Sequence, residues 1–193
     1  MSPRSGRGAA AALITAALVV GAAACGGGKS DSGGKSAAGD ARKGAVAAYW
    51  NAYYAIGDAA QRRPDDGTFV ACGGSSSDSL RYSAYMLLMG TSSKQPGFAA
   101  AVTQRLTAAG WHPAGTYQGL PSATRKGETA VLKPVKSQAT ASQPTIGLTV
   151  LSPCTKAGGA AKGLLDTYSS SADKLKSPTS SDPSPAPTAF PDR

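Results

Sequence analysis

Leu80-Arg81-Tyr82-Ser83-Ala84-Tyr85-Met86-Leu87-Leu88 is the stretch whose period decides the fold. Leu80, Tyr82, Ala84, Met86 and Leu88 occupy alternate positions, with Arg81, Ser83, Tyr85 and Leu87 between them. A period of two predicts a strand buried on one face and nearly buried on the other. A helix is the competing reading of the same run.

Upstream, residues 41–62 read as an amphipathic helix. Asp40 stands at the N-cap, Pro64 stops the helix, and Arg62 and Arg63 fall in the last turn, where cations suit the dipole. Val46, Tyr49, Trp50, Tyr53 and Ile56 recur at helical spacing as an aromatic stripe. Such a stripe can stack on sugar rings, but packing into a core is the commoner use of large aromatic side chains. Pro64-Asp65-Asp66-Gly67 has turn chemistry, and Phe69-Val70-Ala71-Cys72 reads as a short extended piece.

Downstream, Pro96 marks a helix start, and Phe98, Val102, Leu106 and Ala109 share one face. Gly110 supplies a left-handed cap, with Trp111 after it. The period then returns to two, predicting strands at 116–118, at 129–135 after the turn Arg125-Lys126-Gly127, and around Ile146, Leu148 and Val150. Pro134 places the second of these at a sheet edge. The expected fold class is α+β, in the order α-β-α-β-β-β, with a small antiparallel sheet of about four strands and two main helices on one face. Residues 157–176 form a weak helix or linker.

The first 25 residues have a different character. Arg4 and Arg7 precede an apolar run of 16 residues, 9–24, which ends in Ala22-Ala23-Ala24-Cys25. That is the plan of a secretory signal, and the run falls short of the roughly 20 strongly apolar residues a spanning helix needs. Gly21-Ala22-Ala23-Ala24-Cys25 resembles a bacterial lipobox. The resemblance implies that the cysteine receives a diacylglyceryl group, a palmitate-type acyl anchor, and becomes the mature N-terminus. Ala22 stands where lipoboxes usually carry a larger aliphatic residue, and Ala22-Ala23-Ala24 also fits ordinary signal cleavage, so secretion without a lipid is the alternative. Residues 25–39 then read as the lipidated cysteine and a Gly/Ser linker, 40–156 as one globular domain, and 177–193 as a disordered Pro/Ser-rich tail. The tail serves as a wall spacer or glycosylated stalk, or is dispensable.

With Cys25 lipidated, Cys72 and Cys154 are left as an even pair, expected to form one disulfide. The segment from Leu106-Thr107-Ala108-Ala109-Gly110-Trp111 to Leu151-Ser152-Pro153-Cys154 is also similar to small exported actinobacterial proteins. That likeness implies a disulfide-stapled fold and carries no activity.

The chemistry expected of the domain is mostly negative. His112 is the single histidine. It stands between Trp111 and Pro113, a poor position for a Ser-His-Asp arrangement. Asp58, Asp65, Asp66, Asp78, Glu128, Asp166 and Asp173 show no spacing of a hydrolytic carboxylate pair. Two cysteines 82 apart make neither a CxxC motif nor a zinc site. No cofactor and no metal are expected.

Without Arg4 and Arg7 the chain carries 18 basic against 11 acidic residues, a formal +7. Arg125, Lys126, Lys133 and Lys136 concentrate charge around one hairpin, a candidate contact for anionic wall polymer or lipid headgroups. Nucleic acid is a poor partner for an exported chain without a recognition motif. The expectation is a monomeric, non-enzymatic binding or scaffold lipoprotein at the outer face of the cell membrane. A small secreted enzyme or enzyme accessory is the alternative.

Overall fold

The alternating stretch is a strand. In the computed structural model, which describes residues 30–73, 78–91, 97–135, 143–170 and 173–175, it lies in β2 (Ser79–Met89). Every even residue from Leu80 to Leu88 is buried and every odd one is half-exposed. The expected signal, Cys25, Pro96, Lys136 and the tail from residue 177 lie outside the described residues.

The order of elements is α1 (Ser30–Ile56), a 3-10 turn (Gly57–Ala59), β1 (Gln61–Ala71), β2, α2 (Phe98–Ala108), β3 (His112–Tyr117), β4 (Leu120–Arg125), β5 (Glu128–Pro134), β6 (Thr145–Leu151), β7 (Thr155–Lys156), α3 (Ala160–Ser170) and β8 (Asp173–Lys174). All eight strands join one antiparallel sheet, ordered β3-β4-β5-β6-β2-β1-β8, and β7 continues the partnering of β2 beyond β6. The class is α+β as expected, with eight strands rather than about four and three helices rather than two among the described residues.

Helix α1 crosses the sheet over β2, and α3 packs on β1 and α1. Ala45, Ala48, Tyr49, Ala52 and Ile56 face Leu80, Tyr82, Ala84, Met86 and Leu88 of β2, with Ile146, Leu148 and Val150 of β6 beside them. The alanines keep the helix axis close to the sheet, and burial of this shared apolar surface is the main drive for the layer. Tyr49, Trp50 and Ile56 are core residues, whereas Tyr53 is partly covered and Tyr54 is open.

Helix α2 stands against α1 and the 3-10 turn. Phe98, Val102 and Leu106 are its buried residues, as the spacing predicted. Its end is a Schellman motif: Trp111 N–H donates to Leu106 O at 3.1 Å and Gly110 N–H to Thr107 O at 3.0 Å, with Gly110 at φ 84°. Trp111, fully buried, donates its indole N–H to Asn51 Oδ1 on α1 at 3.0 Å.

Several expectations are corrected. The first helix begins at Ser30, inside the stretch expected as linker, so Asp40 is a mid-helix residue paired with Lys43 and not an N-cap. Tertiary packing overrides the glycine content there: Ala38 is 1% exposed, and Gly34 is buried against the Ala157 carbonyl. The helix ends at Ile56, and Arg62 and Arg63 belong to β1. Pro64-Asp65-Asp66-Gly67 is a bulge within that strand rather than a chain reversal, because the register with β2 slips by one residue there. Residues 157–176 contain a packed helix, α3.

Strand β5 is interior, between β4 and β6. Pro134 is tolerated because pairing with β4 stops at Val131, so no partner on that side needs its missing N–H. The expected strand at 116–118 is longer, and β4 is additional. Both hairpins here turn on two residues with positive φ: Gln118 and Gly119, then Lys126 and Gly127.

Candidate functional site

Among the described residues the sheet has one face under helices and one without. Facing residues on paired strands point to the same side, so register assigns the helix-free face. Arg63 pairs with Leu87, Leu87 with Gly147, and Gly147 with Lys133. These four form a row across β1, β2, β6 and β5. Three strand spacings of about 4.8 Å put the Arg63 and Lys133 backbones about 14 Å apart.

Between them, Tyr85 lies over Gly147: a Cβ on that glycine would sit 2.8 Å from both Cε2 and the hydroxyl of the ring. Burial, and secondarily the charge of Asp65, raises the Tyr85 hydroxyl above its ordinary pKa. Leu87 and Met89 follow Tyr85 on the same face of β2, half-exposed, and Arg63 and Lys133 are exposed. The result is a flat platform with an aromatic and aliphatic centre and a cation on either side.

The other end of this face is covered. Arg81, also on the odd side of β2, donates from Nη1 to the Tyr117 hydroxyl at 2.6 Å, although β3 lies at the far edge of the sheet. The β3–β4 hairpin tip therefore folds back over the face, where Ser122, Val131 and Leu151 are buried. The same guanidinium touches the Cys72–Cys154 disulfide, with Nε 3.3 Å from Cys72 Sγ and Nη2 2.9 Å from Cys154 Sγ.

The disulfide is present as expected, with Cα atoms 6.2 Å apart and a sequence separation of 82. It ties the β1–β2 loop to the break between β6 and β7. That break is built by Ser152, whose hydroxyl accepts the Tyr82 N–H at 2.8 Å in place of a ladder carbonyl, and by Pro153, which has no N–H to offer.

Of the four basic residues expected to act together, the three among the described residues, Arg125, Lys126 and Lys133, are separated. Arg125 donates to the Ala109 carbonyl at 3.2 Å and so finishes the C-terminus of α2. Lys126 is exposed in the β4–β5 turn. Lys133 lies five residues of strand rise beyond the first residue of β5, about 17 Å from the turn, and belongs to the row with Arg63. Lys136 and Cys25 lie outside the described residues. The cation that joins Lys133 is Arg63, which the sequence spacing places in the last turn of a helix and the structure places in β1. His112 is exposed on β3.

Asp58 pairs with Arg105, Asp78 with Lys156, Asp166 with Lys162 and Asp173 with Arg42, each separately, while the charge of Asp65 acts on Tyr85 at the platform. Among the described residues no three His, Cys, Asp or Glu side chains gather to hold a metal ion. No helix among them is long and apolar enough to cross a membrane.

Comparison with protein-family models, with curated proteins and with solved structures finds no match to the chain.

Proposed function

We propose that this chain is an exported lipoprotein, held through an acylated Cys25 at the outer face of the cell membrane, whose domain binds an anionic polymer of the envelope without catalysis. The observation that carries the binding reading is the helix-free row Arg63–Leu87–Gly147–Lys133, with the Tyr85 ring over its glycine. A flat platform with cations about 14 Å apart suits an extended chain bearing phosphates or carboxylates, whose backbone packs on the ring while its charges meet Arg63 and Lys133. The formal charge of +7 that remains once Arg4 and Arg7 leave with the signal adds a longer-range attraction that salt weakens. The disulfide fits export, because such bonds persist in oxidising compartments.

The test uses the full chain carrying Cys25→Ser, so that acyl chains do not mask the contact. Binding to purified wall fragments is measured at low and at high salt. At roughly 1 kcal/mol per cation near an anionic surface, Arg63→Gln with Lys133→Gln weakens low-salt binding by about 30-fold, and Lys126→Gln weakens it far less. Unchanged binding in the double variant removes this face from the function. Binding to anionic vesicles with none to wall fragments assigns the domain to the membrane surface instead. The anchor is tested separately: an unmodified Cys25 mass in protein recovered without detergent refutes acylation and leaves simple secretion.

A further inference from the structure

The Cys72–Cys154 bridge has a neighbour that a purely structural staple does not need. Arg81 points two of its nitrogens at the two sulfurs, Nε at Cys72 Sγ at 3.3 Å and Nη2 at Cys154 Sγ at 2.9 Å. The third nitrogen, Nη1, is fixed by the Tyr117 hydroxyl at 2.6 Å, and the guanidinium lies 5.7 Å from the centre of that ring. Among the described residues no carboxylate forms an ion pair with Arg81. Its charge is therefore left to face sulfur.

A neutral disulfide is a weak acceptor and gains little from a cation. A thiolate gains a charge-assisted contact, and cations beside cysteine are what lower thiol pKa and make it a good leaving group. The arrangement thus favours the state in which the bond is opening over the state in which it is closed, which is the condition for accelerating a step. The two sulfurs also differ in access: Cys154 is exposed in the β6–β7 break, and Cys72 is half-buried.

We propose that Cys72–Cys154 is a thiol–disulfide exchange site, with Cys154 the sulfur attacked, Cys72 the leaving group, and Arg81 the residue that stabilises the departing thiolate. The partner class is an extracytoplasmic dithiol. Its thiolate attacks Cys154 Sγ, the Cys72–Cys154 bond breaks, and the electron pair stays on Cys72 Sγ beside Arg81 Nε. The second thiol of the partner, deprotonated by solvent, attacks its own sulfur in the mixed disulfide and expels Cys154 as a thiolate beside Nη2. One dithiol is oxidised to a disulfide and one protein disulfide is reduced by two electrons, with the two protons passing through solvent to the protein thiols. The reverse sequence closes the bond with a disulfide partner through the same intermediate, and Arg81 assists it by keeping the attacking cysteine ionised.

The experiment follows reduction of the folded, oxidised full chain by dithiothreitol under pseudo-first-order conditions at neutral pH. Arg81→Gln slows the rate by about tenfold, and Arg81→Lys, which restores a cation, recovers most of the loss. A rate in R81Q equal to or above that of the native chain overturns the proposal, since a guanidinium with only a packing role would leave the bond no harder to open when removed. Should R81Q not fold, Tyr117→Phe carries the test: freeing the third contact slows exchange, and an unchanged rate refutes the role of Arg81. Independently, brief treatment with 2-mercaptoethanol followed by acid quench and peptide mass analysis places the first adduct on Cys154. An adduct on Cys72 overturns the assignment.

Discussion

Replacing Asp173 by alanine removes the acceptor that ties the last described strand to the rest of the domain. Asp173 Oδ2 accepts Arg42 Nε from α1 at 2.6 Å, with Arg42 Nη2 also 2.6 Å away. It accepts the Tyr82 hydroxyl from β2 at the same distance. The carboxylate side chain is 18% exposed and that of Arg42 36%. Gly67, which pairs with Asp173 in the sheet, leaves room for the Tyr82 hydroxyl, which would lie within 1.9 Å of a Cβ there.

A fully buried ion pair broken on one side costs about 3–5 kcal/mol, and an exposed one under about 1. With Arg42 a third open to water, its part is worth about 1 kcal/mol. The Tyr82 hydroxyl, left in the core without an acceptor, adds about 1–2 kcal/mol. Asp173→Ala is therefore expected to lower unfolding free energy by about 2–3 kcal/mol, read from the urea midpoint at constant slope. Asp173→Asn keeps an oxygen for Tyr82 and loses about half as much. In an Arg42→Met, Tyr82→Phe background the alanine substitution becomes nearly neutral, since no donor is then left unpaired. A single-variant loss below about 0.5 kcal/mol, the range of ordinary surface changes, would refute the view that this trio anchors α3 and β8.

Cys72→Ser with Cys154→Ser opens a loop with a sequence separation of 82. The chain-entropy cost is about 4.5 kcal/mol, so calorimetry should show the melting temperature fall by roughly 15–20 °C for a domain of this size; a fall under about 5 °C contradicts that account. Burial pushes the Tyr49 hydroxyl up to about 12, and the hydroxyl has no hydrogen-bond partner among the described residues. A tyrosine raised in the folded state contributes stability that is complete below its unfolded value near 10 and lost as pH rises from 10 towards 12, roughly 2–3 kcal/mol. Tyr49→Phe should flatten that alkaline loss in a denaturant series across pH 9–12, and an unchanged slope rejects the assignment. Gly147→Ala drives a methyl group into the Tyr85 ring. It should cost about 1 kcal/mol, shift the Tyr85 ring resonances and weaken wall binding, whereas intact binding with a displaced ring removes the aromatic from the site.

Where a segment's structure follows from its own pattern, the chain declares it. The alternation of Leu80 to Leu88 sets a strand because one face must be buried, and Phe98, Val102 and Leu106 with Gly110 set a helix and its cap through contacts only a turn apart. Cys72 and Cys154 are expected to pair only with Cys25 set aside by its lipobox resemblance, and the structure bonds them. β3 is wholly exposed but for Tyr117, so only its end near 116–118 is legible, and β4, which begins at a proline-containing pair, carries no apolar period to read. Gln118, expected inside that strand, instead forms the β3–β4 turn with Gly119, both at positive φ. Ser30 to Gly39 has glycine and serine typical of a linker, yet it is helical because Ala38 and Gly34 are buried against distant chain.

The same division holds for the candidate site. Lys133 was singled out with its sequence neighbours, but its partner in space is Arg63, and Arg125 is occupied at the end of α2. Only the pairing of β1, β2, β6 and β5 places Arg63, Leu87, Gly147 and Lys133 in one row. Likewise only the folded-back β3–β4 hairpin brings Tyr117 to Arg81. The physical reason is that a strand's period states which side chains share its face, while register, which decides what lies opposite, is set by hydrogen bonds and packing between segments far apart in the chain.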